Sequence, residues 1–124
     1  MNHSGNVLAF IGDAVMSVQV REYLIEKGMS RTKDLQETST KFVSAKSQAG
    51  FVDYLIEKKS MTEEEFDIYK RGRNAKAASM AKNAEVKDYR KATGLEALWG
   101  FLYFKKDYDR LDHLWELFKS EVKL

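Results

Sequence analysis

Apolar residues recur at the spacing of one helix face along most of the chain, and this pattern predicts helices and no strand. The first and longest helix is expected from about Gly5 to Lys27, with Gly28 as its C-terminal stop. The further predicted helices are a short one capped by Ser30 or Thr32, one from about Ser44 to Lys59, one starting after Thr62, one starting near Asp88, and one from Tyr108 to Val122. The pattern therefore predicts an all-α helical bundle.

Local signals place the ends of some of these helices and the faces of others. Thr62 followed by Glu65 is the capping-box pattern of a helix start. The segment from Lys70 to Val86 has no clear apolar repeat and is the best loop candidate. The third helix carries an apolar stripe that is expected to face the core, made of Ala45, Ala49, Val52, Leu55 and Ile56. The last helix carries a second stripe that is expected to face the core or a dimer partner, made of Leu111, Leu114, Trp115, Phe118 and Val122.

One acidic residue, Asp13, interrupts the apolar pattern of the first helix, VLAFIGDAVMSVQVREY. Residues three and four positions away share its helix face, among them Ala9, Phe10 and Met16, so we expect this face to point inward. A carboxylate removed from water loses favourable hydration unless a cation or hydrogen-bond donors replace that water. The pattern therefore predicts a partner for Asp13.

Glu96 repeats this anomaly in the other strongly apolar stretch, which runs from Ala92 to Phe104. If both helices lie at the centre of a bundle, Asp13 and Glu96 can face each other or a shared cleft. A divalent cation is the commonest means of keeping two such carboxylates ionised. The alternative is that Asp13 caps a neighbouring backbone and Glu96 pairs with an arginine, since buried acids usually serve structure.

Composition supports a helical domain and narrows the possible chemistry. The 124 residues include no proline and no cysteine, which favours long helices and excludes disulfides and thiolate metal sites. One domain over residues 1–124 is expected at this length. The apolar runs are too short to cross a bilayer and no signal-peptide pattern is present, so we expect a cytoplasmic protein without a membrane anchor. His3 and His113 are expected at the surface, and no nucleophile motif or phosphate-cradling glycine loop occurs.

Charge is unevenly distributed along the chain. Residues 70–91 hold eight basic and two acidic side chains, a local charge of +6 in a chain whose net charge is +2, so the rest sums to −4. A run of this kind is often only a solvated face. Here it leads directly into the Glu96 helix, so a bound polyanion would lie beside the carboxylates. Basic groups that bind a phosphate backbone next to a carboxylate and metal centre would suit a phosphodiester hydrolase.

Four segments resemble one known family. LAFIGDAVMSVQVREYL resembles the signature helix of the ribonuclease III catalytic domain, TKFVSAKSQAGFVDYL its middle helix, and ATGLEALWGFLYF its second acidic helix. RGRNAKAASMAKNAEVKDYRKATGLEAL is similar to one subgroup, Mini-ribonuclease III, which keeps the catalytic domain and lacks the double-stranded RNA-binding domain. The chain departs from that subgroup at Ala81 and at Gly94-Leu95.

This resemblance implies roles for particular residues. The family's metal-binding aspartate and glutamate correspond to Asp13 and Glu96, which would be catalytic and would hold Mg²⁺, with Mn²⁺ as a substitute. Further acids of full-length ribonuclease III correspond to Asn6, Ala9 and Thr93, a thinning that is typical of the subgroup. The basic side chains expected to bind the RNA backbone are Arg71, Arg73, Lys76 and Lys82.

The resemblance also implies an assembly and a substrate. It predicts a homodimer that cleaves both strands of double-stranded RNA and matures precursor 23S ribosomal RNA. Two rival hypotheses come from other classes. One is a non-catalytic helical RNA-binding or ribosome-assembly module in which the two acids only stabilise the core. The other is a dimeric interaction protein whose apolar C-terminal helix binds a protein partner.

Overall fold

A computed structural model describes residues 3–75 and 84–124, and every regular element in these two ranges is an α-helix. The helices are α1 (Gly5–Glu26), α2 (Thr32–Val43), α3 (Ala45–Glu57), α4 (Glu63–Arg73), α5 (Ala84–Phe104) and α6 (Tyr108–Glu121). The all-α prediction is therefore confirmed. Across the described ranges, none of the helices is long and apolar enough to span a membrane.

The predicted helix bounds agree best for α1, α3 and α6 and differ elsewhere. At the start of α2 the capping position is held by Arg31, which makes no side-chain cap hydrogen bond, so the prediction of Ser30 or Thr32 as the cap was wrong. α5 begins at Ala84, four residues before the expected Asp88. α4 continues to Arg73, into the segment predicted to be a loop, whereas residues 76–83 of that segment lie outside the described ranges.

The last turn of α4 packs closely against α5 at a glycine. A Cβ atom added to Gly72 would lie 2.9 Å from the Cα of Gly94 in α5, so the two backbones meet there. A Cβ atom on Gly94 would in turn lie 2.6 Å from the Tyr69 ring. The departure at Gly94-Leu95 is thus compatible with packing, since Gly94 leaves room for Tyr69 and Leu95 is fully buried. The departure at Ala81 lies outside the described residues.

α5 is the central helix, because α1, α3 and α4 all pack against it. Its buried side chains include Leu98, Trp99 and Leu102. The Trp99 indole Nε1 donates a hydrogen bond of 2.7 Å to Gln19 Oε1 of α1, which satisfies the buried donor. α6 closes the core, where the Phe118 ring stacks on Phe51 at 4.5 Å between ring centroids.

The two predicted apolar stripes have different outcomes. The α6 stripe faces the core, since Leu111, Leu114, Trp115 and Phe118 are buried. This rules out the hypothesis that the apolar side of the C-terminal helix is free to bind a partner. The α3 stripe is confirmed at Ala49, Val52 and Leu55, which are buried. Ile56 is exposed, and the buried Gln48 and Phe51 were not predicted.

The capping box at the start of α4 is confirmed. The Thr62 hydroxyl accepts from the Glu65 backbone N–H at 3.1 Å, and the Thr62 backbone N–H donates to the Glu65 carboxylate at 2.9 Å. The same carboxylate is buried and forms an ion pair with Arg110 of α6 at 2.8 Å. Glu65 therefore both starts α4 and fixes it to α6.

Candidate active site

Two glycines bring the backbones of α1 and α5 into contact at the centre of the bundle. A Cβ atom on Gly12 would lie 1.8 Å from the carbonyl oxygen of Glu96, and one on Gly100 would lie 1.9 Å from that of Leu8. No side chain fits at either position. Since Asp13 follows Gly12, this crossing places Asp13 beside Glu96.

Sequence reasoning missed the role of these glycines, although the sequence carries a signal for it. A glycine inside a helix costs about 1 kcal/mol relative to alanine, so a glycine within a long apolar helix indicates a close approach of another backbone. Both Gly12 and Gly100 occupy such positions. The close approach, and not the carboxylates, sets the geometry of the site.

The expectation that Asp13 points inward was wrong. Asp13 is exposed in the single chain, and Phe10 on the same side is 84% exposed. α1 instead buries the face that carries Leu8, Gly12 and Met16, because the glycine crossing turns that face toward α5. Asp13 lies at the edge of the buried face, where a ligand can reach it, and Glu96 is half-buried below.

The two carboxyl groups are close enough to share a proton. Burial, together with the hydrogen bond to Asp13 and the charge of Asp13, raises the pKa of the Glu96 carboxyl to about 8, although the hydrogen bond from Gln48 acts in the opposite direction. The largest effect is the loss of water around the charged carboxylate, and repulsion by a second negative charge beside it adds to this effect. In the absence of a cation, one proton therefore stays on the pair near neutral pH.

The raised pKa predicts how stability depends on pH. Between pH 4.5, where Glu96 ordinarily titrates, and about 8, the folded chain keeps a proton that the unfolded chain has lost. Folding then takes up a proton, so this contribution to stability is present at low pH and is lost as the pH rises through the window. The stability of Glu96→Gln should fall less steeply with pH than that of the wild type, by up to about 1.4 kcal/mol per pH unit.

Urea unfolding of both chains at several pH values, without divalent cations, measures this difference. Glu57→Gln, an exposed position at the end of α3, is the matched control and should keep the wild-type slope. Parallel slopes for the wild type and Glu96→Gln would contradict the shared-proton interpretation.

An ion pair for either acid finds no support in the described residues. Within residues 3–75 and 84–124, no Lys, Arg or His side chain forms an ion pair with Asp13 or Glu96. Besides its contact with Asp13, the Glu96 carboxylate accepts a hydrogen bond from the Gln48 amide, whose Nε2 lies 3.3 Å from Glu96 Oε2. The described residues therefore include no arginine that pairs with Glu96, as the structural alternative would require.

The donor set fits a hard divalent cation that takes few protein ligands. Across the described part of the chain, no group of three or more His, Cys, Asp and Glu side chains is placed to share a metal ion. The protein ligands available in the cleft are therefore the exposed Asp13 carboxylate and the half-buried Glu96 carboxylate. Mg²⁺ commonly binds to one or two carboxylates and completes its shell with waters and substrate phosphate oxygens. Asp13 and Glu96 together meet that requirement.

A cleft of about 500 Å³ opens above the two carboxylates. Its lining includes Phe10, Asp13, Arg73, Tyr89, Arg90 and Glu96. Two arginines from different helices line the same cleft as the two carboxylates. The cleft thus combines two carboxylates, which suit a metal ion, with two arginines, which suit a phosphate backbone.

The predicted RNA-binding residues have different positions relative to this cleft. Arg73 lines it, with its guanidinium over the Tyr69 ring at 5.6 Å. Arg71 is exposed but does not line the cleft, and its Nη1 donates to the His3 carbonyl oxygen at 3.3 Å. Lys76 and Lys82 lie outside the described residues. Arg90 lines the cleft and was missed, although it belongs to the basic run.

A family profile and curated relatives agree on one family. The profile of the ribonuclease III domain matches residues 6–107. The chain is 50% identical over 107 residues to Mini-ribonuclease 3 of Staphylococcus aureus, covering 86% of this chain and 80% of the relative. It is 46% identical over 111 residues to Mini-ribonuclease 3 of Streptococcus pneumoniae, covering 90% and 87%. A crystal structure of a Fusobacterium nucleatum protein superposes with a TM-score of 0.84 at 28% identity, covering 94% of this chain and 93% of that chain.

Proposed function

The chain belongs to the ribonuclease III family of endoribonucleases, and from that premise we propose that it hydrolyses both strands of double-stranded RNA with the help of Mg²⁺. The observation that carries the proposal is the contact between Asp13 and Glu96 at the base of a cleft edged by Arg73 and Arg90. Mn²⁺ should substitute for Mg²⁺, because carboxylate and water ligands suit both ions.

Each part of the site has a defined task in this reaction. Asp13 and Glu96 would hold the ion, which when bound would make water a better nucleophile and offset charge on the phosphate oxygens. Arg73 and Arg90 bind backbone phosphates and so hold the RNA against the carboxylates. These contacts supply affinity with little base readout, because A-form RNA is recognised mainly by its shape, phosphates and 2′-hydroxyl groups.

We propose precursor 23S ribosomal RNA as the substrate and the cytoplasm as the place of action. The support is the similarity to relatives named Mini-ribonuclease 3, together with the substrate expected for that subgroup. The substrate would be a base-paired stem, in which two strands lie side by side.

The deciding experiment incubates purified protein with a labelled RNA duplex and with each single strand, in Mg²⁺ or in chelator. Products from the duplex alone, and only with Mg²⁺, support the proposal. Binding of the duplex without any metal-dependent product would favour a non-catalytic RNA-binding module instead.

The two arginines of the cleft predict the salt dependence of binding. Arg73→Ala and Arg90→Ala should each weaken duplex binding to a similar extent for all sequences and flatten the plot of log affinity against log salt by about 0.7 to 1. Titrations at four or more salt concentrations measure this slope. Lys33→Ala, an exposed lysine of α2, is the matched control and should keep the wild-type slope. An unchanged slope for Arg73→Ala and Arg90→Ala would mean that the duplex does not lie in this cleft.

We also propose that two copies of the chain form the active unit through α1. The exposed side of this helix carries an apolar row, here called the α1 stripe, made of Val7, Phe10, Ala14, Val18 and Ile25. The row runs along a helix of 22 residues, about 33 Å long, and is interrupted by Arg21 and Glu22 between Val18 and Ile25. A two-fold axis lets such a stripe pack on itself. Phe10 belongs to both the stripe and the cleft, so a second chain on the stripe would lie beside the cleft.

If two chains pack through the α1 stripe, a charge placed on the stripe should disrupt the dimer. Val18→Glu should shift the protein from dimer to monomer without unfolding it, because the side chain is exposed in the single chain but would be buried between two chains. Sedimentation velocity measures the mass, and circular dichroism measures the fold. Gln36→Glu adds the same charge on exposed α2 and should leave the mass unchanged. A dimeric Val18→Glu protein would exclude this interface.

A further inference from the structure

One buried polar residue beside the two carboxylates has no task in the proposed reaction. Gln48 of α3 is 1% exposed and sits among apolar side chains of the core, Ala49, Phe51 and Val52 on the same helix among them. Its amide Nε2 donates to two acceptors, the Val43 carbonyl oxygen at 3.1 Å and Glu96 Oε2 at 3.3 Å. Gln48 Oε1 is buried and has no hydrogen-bond partner among the described residues.

The orientation of this amide is fixed by its surroundings. The Val43 carbonyl can only accept a hydrogen bond, so the nitrogen of Gln48 and not its oxygen must face it. Both hydrogens of that nitrogen are then used, one on Val43 and one on Glu96. α3 is itself held at its start by the Ser44 cap, whose hydroxyl accepts from the Ser47 backbone N–H. The donor that faces Glu96 is therefore attached to a rigid element.

A purely structural role explains this arrangement poorly. A buried acceptor without a partner lowers stability, and an apolar residue of similar volume would avoid that cost. The benefit is the contact with Glu96: a donor on one carboxylate oxygen restricts rotation of the carboxyl group. Residues that orient a metal ligand in this way typically change metal affinity by 10–100-fold when they are removed.

We propose that Gln48 is a positioning residue that holds the Glu96 carboxylate in the orientation that binds the catalytic cation. This inference rests on the proposed function, because it assumes that Glu96 is a metal ligand. In this role Gln48 makes no contact with the RNA. The loss of Gln48 should therefore change the affinity for the metal and leave the affinity for the duplex unchanged.

The test compares Gln48→Met with the wild type by titrating Mn²⁺ and following its electron paramagnetic resonance signal, without RNA. Gln48→Met keeps the approximate volume and removes the donor, and it should weaken Mn²⁺ binding by about 10–100-fold. The matched control is Gln19→Met, which removes the hydrogen bond to Trp99 and has no hydrogen bond to Glu96. It should lose stability and keep its Mn²⁺ affinity.

Cleavage assays add a second readout. High Mg²⁺ should restore the rate of Gln48→Met toward that of the wild type, with an unchanged KM for the duplex. If Gln48→Met does not fold, Gln48→Asn keeps the amide but retracts it by one methylene, and it should show the same weakened Mn²⁺ binding. Wild-type Mn²⁺ affinity in whichever of these variants is folded would overturn the positioning role alone. Absence of Mn²⁺ binding by the wild-type chain would overturn the proposed metal site as well.

Discussion

Asp13→Asn and Glu96→Gln should each slow cleavage of duplex RNA by at least about a thousandfold, since the ion that we propose they bind would be worth several kcal/mol in the transition state. Both substitutions keep the shape of the side chain and remove its charge. Because they also remove the repulsion between two neighbouring carboxylates, stability measured without metal should stay level or rise. Single-turnover cleavage in saturating protein measures the chemical step, and urea unfolding measures the stability.

Two exposed acids serve as controls for this prediction. Asp112→Asn in α6 and Glu57→Gln in α3 change the charge by the same amount away from the cleft, and both should cleave at the wild-type rate. Duplex binding should persist in Asp13→Asn and Glu96→Gln, because the arginines of the cleft are intact. If either site variant unfolds outright, the carboxylate is structural and the metal hypothesis loses its main support.

Gly12→Ala should destabilise the fold by about 3 kcal/mol or more, at the upper end of what overpacking costs. The added Cβ would lie 1.8 Å from the carbonyl oxygen of Glu96, and this neighbour is backbone that cannot rotate away. α1 and α5 would have to separate, which would also move Asp13 away from Glu96. Urea unfolding should show the loss of stability, and cleavage should fall even under conditions where the variant is folded.

The chain contains a matched control for this glycine. Gly50 lies inside α3, and a Cβ atom there would meet nothing within 4 Å. Gly50→Ala should therefore stabilise the protein by about 0.5–1 kcal/mol through the better helix propensity of alanine. A small effect of Gly12→Ala, similar in size to that of Gly50→Ala, would show that the close crossing of α1 and α5 does not exist.

Much of the fold and the identity of the two acids could be predicted from the sequence. The helical repeat is local, so α1, α3 and α6 could be placed within a few residues. Asp13 and Glu96 were identifiable because each interrupts an apolar stretch, and the structure places them together. The predicted inward orientation of Asp13 failed, because the direction of a helix face depends on which neighbour it packs against.

The remaining features depend on contacts between distant parts of the chain. The crossing at Gly12 and Gly100 is a contact between backbones, and the spacing of apolar side chains does not predict such a contact. Gln48 reads as one more polar residue on α3 until its distance to Glu96 is known. Arg90 could not be chosen from the eight basic residues of positions 70–91, since only the packing of α4 and α5 decides which of them line the cleft.

The central claim is that Asp13 and Glu96 hold the same cation, and Mn²⁺ titration of four chains followed by electron paramagnetic resonance tests it most directly. The chains are the wild type, Asp13→Asn, Glu96→Gln, and the chain that carries both substitutions. If the two carboxylates share one ion, each single substitution should reduce Mn²⁺ binding to the level of the doubly substituted chain. Wild-type affinity in either single variant would show that the two carboxylates do not form one site and would contradict the account.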